Sequence, residues 1–192
     1  MHELRSLVGD DAENAAAALG VDVKELTGPV DTVQFCFSKG LSAPVGSILC
    51  GPRDTVARAR KVRKLLGGAM RQAGVIAAAA LVGLETMRDR LVDDHVNARA
   101  LADGLAAIRG IKIDAANVVT NIVSFEVERS AMDAGEFQKA CAERGLRISR
   151  YLGNSPRLRM VTHANVGRAD VDAALSIMSG ILSAKPEPVT AR

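Results

Sequence analysis

Lys39 is the residue best placed to do covalent chemistry. It follows an apolar, β-rich run, Thr32-Val33-Gln34-Phe35-Cys36-Phe37. A Gly/Pro/Ser turn comes after it, Gly40-Leu41-Ser42-Ala43-Pro44-Val45-Gly46-Ser47, and then a second apolar run, Ile48-Leu49-Cys50. An ammonium is expensive to desolvate, so lysine is rarely buried at a strand end unless paired. Desolvation favours the neutral amine, a nucleophile able to form a Schiff base with an aldehyde. The plain alternative is a strand-end lysine whose stem packs and whose head stays in water.

The elements that must position Lys39 can be read on either side of it. Residues 10–19 open with acids and continue with helix formers, so they predict a helix that Gly20 ends. Residues 22–26 predict a short helical turn, and Gly28-Pro29 a chain reversal. Residues 32–37 and 45–50 predict two buried strands around the Lys39 turn. Gly51-Pro52 breaks the second, and a basic helix follows from Thr55, carrying Arg58, Arg60, Lys61, Arg63 and Lys64 up to Gly67-Gly68. A second helix, from about Met70 to Leu91, is Ala-rich and apolar on most sides, the pattern of a helix buried in a large core or at a subunit contact. Residues 93–108 predict a further helix with an apolar stripe at Val96, Ala100, Leu101, Leu105 and Ile108. Beyond Gly110, residues 121–127 alternate polar and apolar as a half-buried strand does. A helix over 133–143, a short strand over 146–149, an alternating strand over 157–162 and a last helix from about 168 to 182 complete the pattern. This order predicts an antiparallel sheet covered by helices on one face. The tail from Lys185 is expected to be disordered.

Composition narrows the function classes. Of 192 residues, 48% are hydrophobic and only 3% aromatic, so a core would be built from Ala, Val, Leu and Ile. The net charge of +3 (25 basic, 22 acidic residues) is too mild to argue for nucleic acid, and no aromatic residues interleave the basic helix. Cys36, Cys50 and Cys141 are odd in number and widely spaced, with no metal-ligand pattern; they read as reduced thiols. The run Val75 to Val82 is far shorter than the ~20 residues a bilayer needs. The charged start, Met1-His2-Glu3-Leu4-Arg5, has no apolar signal region. A cytoplasmic location is therefore expected, with no membrane partner.

Three segments carry a resemblance. Phe37-Ser38-Lys39-Gly40-Leu41-Ser42-Ala43-Pro44-Val45-Gly46-Ser47 resembles the cofactor-lysine segment of the low-specificity threonine aldolases, which belong to the β-eliminating, pyridoxal-phosphate-dependent lyases. Arg63-Lys64-Leu65-Leu66-Gly67-Gly68-Ala69-Met70-Arg71-Gln72-Ala73-Gly74 is similar to that family's glycine-containing Met-Arg-Gln segment, with Ala69 where a third glycine is usual. Arg159-Met160-Val161-Thr162-His163 resembles its Arg-x-Val-Thr-His run. The similarity covers about residues 14 to 184 and corresponds to the second half of such an enzyme.

The resemblance implies an α/β chain, the C-terminal part of a fold type I, aspartate-aminotransferase-like architecture. Residues 1–95 would be a remnant of the large cofactor-binding domain and residues 96–184 a small α/β domain. It implies pyridoxal 5'-phosphate as cofactor, held by Lys39 through a Schiff base and by Arg71 at the phosphate, the latter from the neighbouring subunit of a homodimer or homotetramer. Arg159 would take the carboxylate of a small amino acid substrate through the bidentate fork of a guanidinium. The reaction implied is cleavage of the Cα–Cβ bond of threonine or allo-threonine to glycine and acetaldehyde. The residues near Lys39 do not separate it from another β-elimination.

The departures point elsewhere. The family's His-x-Asp-Gly-Ala-Arg run, whose aspartate holds the pyridine nitrogen protonated, falls without a gap on Val8 for the aspartate and Asp11 for the arginine; Asp10 or Asp11 supplies the acid only in a shifted register. The family's upstream phosphate loop and stacking histidine have no counterpart. Agreement begins near residue 12, as expected of a truncated frame or a split gene. The alternative reading is an inactive fragment that self-associates or binds a partner through its Ala-rich helix, leaving an apolar patch exposed. His163 and His95 read as structural, and Cys36 as core packing.

Overall fold

The computed structural model describes residues 6–8, 12–151 and 155–184. The chain start, Asp10, Asp11 and the tail from Lys185, all subjects of expectations above, lie outside them. Two compact units divide between Val92 and Asp93, each with its own sheet.

The first unit holds a three-stranded sheet. Strand β1 (Ser6–Val8) pairs in parallel with β2 (Thr32–Cys36), and β2 pairs antiparallel with β3 (Ser47–Cys50). Helices α1 (Ala12–Leu19) and α2 (Val23–Thr27) lie between β1 and β2 in sequence. Gly20, at φ +66°, ends α1 in the left-handed region, and Asp22 caps α2 by accepting the Lys24 N–H at 2.8 Å. Helix α3 (Arg53–Leu65) follows β3, and α4 (Gly74–Thr86) comes next.

Three expectations need correction here. Strand β2 buries only Thr32 and half-buries the rest, and β3 is exposed along its length. Helix α4 stops at Thr86, where the threonine hydroxyl bonds back to the Val82 carbonyl at 2.7 Å. It buries only Ala80 and Gly83 and leaves Val75 77% and Val82 58% exposed. The apolar patterning of β3 and α4 implies cover on more faces than the described residues supply.

What α4 does pack against is the Lys39 loop. Ala80 joins Phe37, Leu41 and Ala43 in the core of this unit, with Phe35, Leu84 and Met87 around it. The Phe35 and Phe37 rings meet edge-on at 5.3 Å. Gly83 sets the approach, because a Cβ built there would stand 2.5 Å from the Leu41 carbonyl oxygen.

The second unit starts with most of helix α5 (Leu91–Ala106) and contains an antiparallel sheet in the order β4-β5-β7-β6. Its strands are β4 (Ile111–Lys112), β5 (Ile122–Val127), β6 (Ser149–Arg150) and β7 (Arg157–Val161). A 3-10 turn at Ala115–Asn117 precedes β5. Helix α6 (Ala134–Glu143) starts at Asp133, whose carboxylate accepts the N–H groups of Gly135 and Glu136, and ends before Gly145 in the left-handed region. Helix α7 (Arg168–Ser183) closes the chain.

The alternation of β5 delivers one buried face, Val123, Phe125 and Val127, joined by Leu158 of β7. Leu101 and Leu105 of α5, Phe137 and Cys141 of α6, and Val171 and Met178 of α7 complete that core. Helices α5 and α7 approach closely at Gly104, where a Cβ would stand 2.3 Å from Leu175 Cδ1. Val96 departs from the expected stripe and is 61% exposed, while Ala98 and Ala102 take the inner positions. Strand β6 begins at Ser149 rather than 146; the Ile148 carbonyl just before it is taken by the Gln138 side chain at 2.7 Å.

Glycine positions give a stability test. Gly83→Ala should lower stability by about 1–3 kcal/mol, since backbone cannot yield as a side chain does. Gly180→Ala on the exposed face of α7, where nothing lies within 4 Å of the new Cβ, should instead add up to about 1 kcal/mol of helix propensity. Denaturant unfolding of both variants reads the difference, and equal effects would contradict the packing at Leu41.

Candidate active site

Lys39 stands on a knotted loop. Beyond β2 the Phe37 N–H donates to the Gly46 carbonyl at 2.9 Å, the Ala43 N–H to the Phe37 carbonyl at 3.0 Å, and the Ser42 N–H to the Lys39 carbonyl at 2.8 Å. Ser42 (φ 56°) and Gly46 (φ 126°) take left-handed backbone to make the turn, which for serine stores strain of a kind common at functional sites. One side of the loop, Gly40, Leu41 and Ala43, is buried, and Lys39 on the other is exposed. Of the two readings of Lys39, the exposed strand-end lysine is the one seen here: the loop's apolar contacts are made by Leu41 and Ala43. Cys36, half-buried, lies 3.3 Å from the Ser47 hydroxyl.

Arg71 lies in the exposed turn between α3 and α4. Gly67 (φ 78°) leaves α3 in the left-handed region, and Gln72 (φ 53°) enters α4 from it. Ala73 at the N-cap of α4 gives its first turn no side-chain hydrogen bond. The Val75 N–H is taken by the Gln72 carbonyl at 3.3 Å; a helix start still favours an anion through its dipole, and Arg71 adds a guanidinium two residues before the N-cap. The other cations of α3, including Arg58, Arg60, Lys61, Arg63 and Lys64, form an exposed face.

Arg159 is an interior-strand residue, not a sheet-edge one. On β7 it sits in register between Ser124 of β5 and Ser149 of β6. Two residues along β7, Arg157 pairs with Glu126, Nε to Oε1 at 3.1 Å. Arg159 has serines where Arg157 has a carboxylate. Its Nε is buried, and among the described residues it has no hydrogen-bond partner. It borders a cavity of about 310 Å³ that Arg147, Ser149, Thr162 and His163 also line. A buried N–H without an acceptor is costly, and a carboxylate is the acceptor whose geometry a guanidinium matches best.

Other titratable groups have structural roles. His163 is exposed, accepts the Asn165 N–H on Nδ1 at 3.3 Å and lines the cavity. Burial pushes the His95 pKa down, with Asp94 opposing. Burial pushes the Cys141 thiol up to about 11, with Arg144 opposing, so it is no nucleophile at neutral pH. Thr162, in the run with His163, is buried and ties the sheet to α5 by donating to the Asp94 carbonyl at 2.6 Å. Among the described residues no group of three His, Cys, Asp or Glu could hold a metal ion, and no helix is long and apolar enough to cross a membrane.

Lys39 and Arg71 thus stand on separate loops of the first unit, and Arg159 and His163 share one cavity of the second. Ser124 and Ser149, in register with Arg159, and Tyr151, bonded to Ser124, were not singled out by the sequence. Alternation along β5 puts Ser124 on the open face, but the register of β6 has no sequence signature.

The β-eliminating lyase family profile matches residues 12–128. A low-specificity L-threonine aldolase from Arabidopsis thaliana is 42% identical over 91% of this chain and 49% of its own length. The chain spans about half the length of the curated relatives it matches. A candidate L-allo-threonine aldolase from Listeria monocytogenes shares its fold, with a TM-score of 0.74 at 20% identity over 92% of this chain and 51% of that one. So does a serine palmitoyltransferase solved with pyridoxal phosphate, at 0.67 and 24%, over 86% and 44%. The architecture is about half of a fold type I enzyme, and the chain belongs to the β-eliminating lyase family.

Proposed function

We propose that this chain supplies the lysine-bearing half of a pyridoxal-phosphate-dependent, threonine aldolase-type active site. In this reading the first unit is the remnant of the large domain and the second the small domain of a cytoplasmic enzyme. Lys39 binds the cofactor aldehyde, Arg71 of a neighbouring subunit binds its phosphate, and Arg159 binds the substrate carboxylate. Bound pyridoxal phosphate supplies an electron sink for the pair left when a bond at an amino acid Cα breaks. The chain's own residues bind and orient. The braced loop fixes the Lys39 backbone, and Arg159 holds the carboxylate in one orientation, so that the Cα–Cβ bond of threonine or allo-threonine is the one presented for cleavage.

The observation that carries this reading is the buried Arg159 Nε without an acceptor, beside a cavity lined by a second arginine. Lys39 and Arg71 fit the cofactor by their chemistry: an exposed lysine on a braced loop, and a guanidinium beside a helix start that no side chain caps.

The exposed apolar residues favour a second reading beside the first. Leu65, Leu66, Met70, Val75, Leu81 and Val82 are all exposed around the Arg71 turn and along α4. Such a patch suits self-association as a homodimer or homotetramer. A chain that associates through it without turning over substrate is the alternative to an active enzyme.

Two measurements separate these. Pyridoxal phosphate mixed with the purified chain should give a visible absorbance band that Lys39→Ala abolishes; an equal band in the variant, or none in either, leaves the inactive reading. Arg159→Ala should weaken glycine binding about tenfold or more in calorimetry, the loss expected for a charge-assisted pair. Unchanged affinity would remove Arg159 from the site.

A further inference from the structure

Tyr151 and Ser124 are joined by a hydrogen bond of 2.7 Å between their hydroxyl oxygens, although β7 lies between the strands they flank. Ser124 belongs to β5 and is in register with Arg159 of β7. Tyr151 directly follows β6, on the other side of β7, and its N–H meets the Arg157 carbonyl at 3.4 Å. Strands are spaced about 4.8 Å apart, so a bond from the β6 side to the β5 side has to pass over β7. Leu158 faces the core, so the face crossed is the one carrying Arg157 and Arg159. The tyrosine ring therefore crosses the strand beside Arg159, on its Arg157 side. The cavity lies on the other side, towards Val161, Thr162 and His163. Arg157 is held separately by Glu126. Arg159 has serines in register on both sides, and its buried Nε has no hydrogen-bond partner among the described residues.

We infer that Tyr151, pinned by Ser124, is a positioning residue for Arg159. Its ring acts as a wall that keeps the guanidinium turned towards the cavity and its Nε shielded from water. This deepens the proposed site and rests on the reading that Arg159 binds a carboxylate. The pair does its work through an aromatic face and one hydroxyl–hydroxyl bond, with no charge added next to the guanidinium. A carboxylate in place of Ser124 would close Arg159 into an ion pair, as Glu126 does for Arg157.

The test uses the full chain labelled with nitrogen-15 and follows the Arg159 Nε–H resonance, assigned by its loss in Arg159→Lys. Tyr151→Phe and Ser124→Ala remove the same bond from opposite ends, and Ser124→Thr keeps the hydroxyl. In the ligand-free chain, Nε–H exchange with water should be about threefold to tenfold faster in both variants and in the double variant alike, and near wild type in Ser124→Thr. Glycine affinity should fall by a similar factor. Exchange unchanged in Tyr151→Phe and Ser124→Ala, or additive losses in the double variant, would overturn the inference. Changed exchange in a chain that binds no glycine would leave Tyr151 as the hold on Arg159 and overturn the carboxylate reading instead. Circular dichroism of each variant separates local loosening from unfolding.

Discussion

The close approach of Gly83 to the Leu41 carbonyl is the contact on which the lysine loop depends. It lets α4 lie against the loop backbone, with Leu41 and Ala43 as the buried side of the loop. With that side fixed, and with the turn tied by the Phe37, Ala43 and Ser42 N–H groups, Lys39 is left on the outer side. A fixed backbone and an exposed side chain are what a residue that forms a covalent bond to a ligand needs. Serine at a left-handed φ in this loop persists because its surroundings over-determine the turn.

The second unit reaches a comparable arrangement with different means. A strand alternating Leu158 inward with Arg157 and Arg159 outward puts two guanidinium groups on one face. Cross-strand register then decides their fates. Glu126 satisfies Arg157, and two serines leave Arg159 open. Burial of the Arg159 Nε makes the open state costly in the absence of an acceptor, which is the usual condition of a preorganised anion site.

Much of this was legible in the sequence, for physical reasons. The Lys39, Arg71 and Arg159 segments stand out through their resemblance to one family; strand, turn and glycine chemistry alone leaves each of these residues open to a plain structural role. The alternation over β5 and β7 encodes one buried face directly. What failed was burial that depends on cover from elsewhere. An apolar run predicts a buried strand at β3 and a buried helix at α4, yet both are largely exposed among the described residues. The three residues of β1 pair with β2 across two helices, and so short a strand carries no periodicity. Tyr151 meets Ser124 across an intervening strand, a relation fixed by β6 register and by nothing local to either residue.

The most direct test of the central claim is to map where the chain takes up the cofactor aldehyde. The chain would be incubated with pyridoxal phosphate, reduced with borohydride to make the attachment permanent, digested and read by mass spectrometry. A single dominant label on the peptide carrying Lys39, with little on Lys61 or Lys64 of the exposed α3 face, is the predicted result. Label spread over the exposed lysines in proportion to their accessibility would contradict it, and would make Lys39 an ordinary surface amine at the end of a strand.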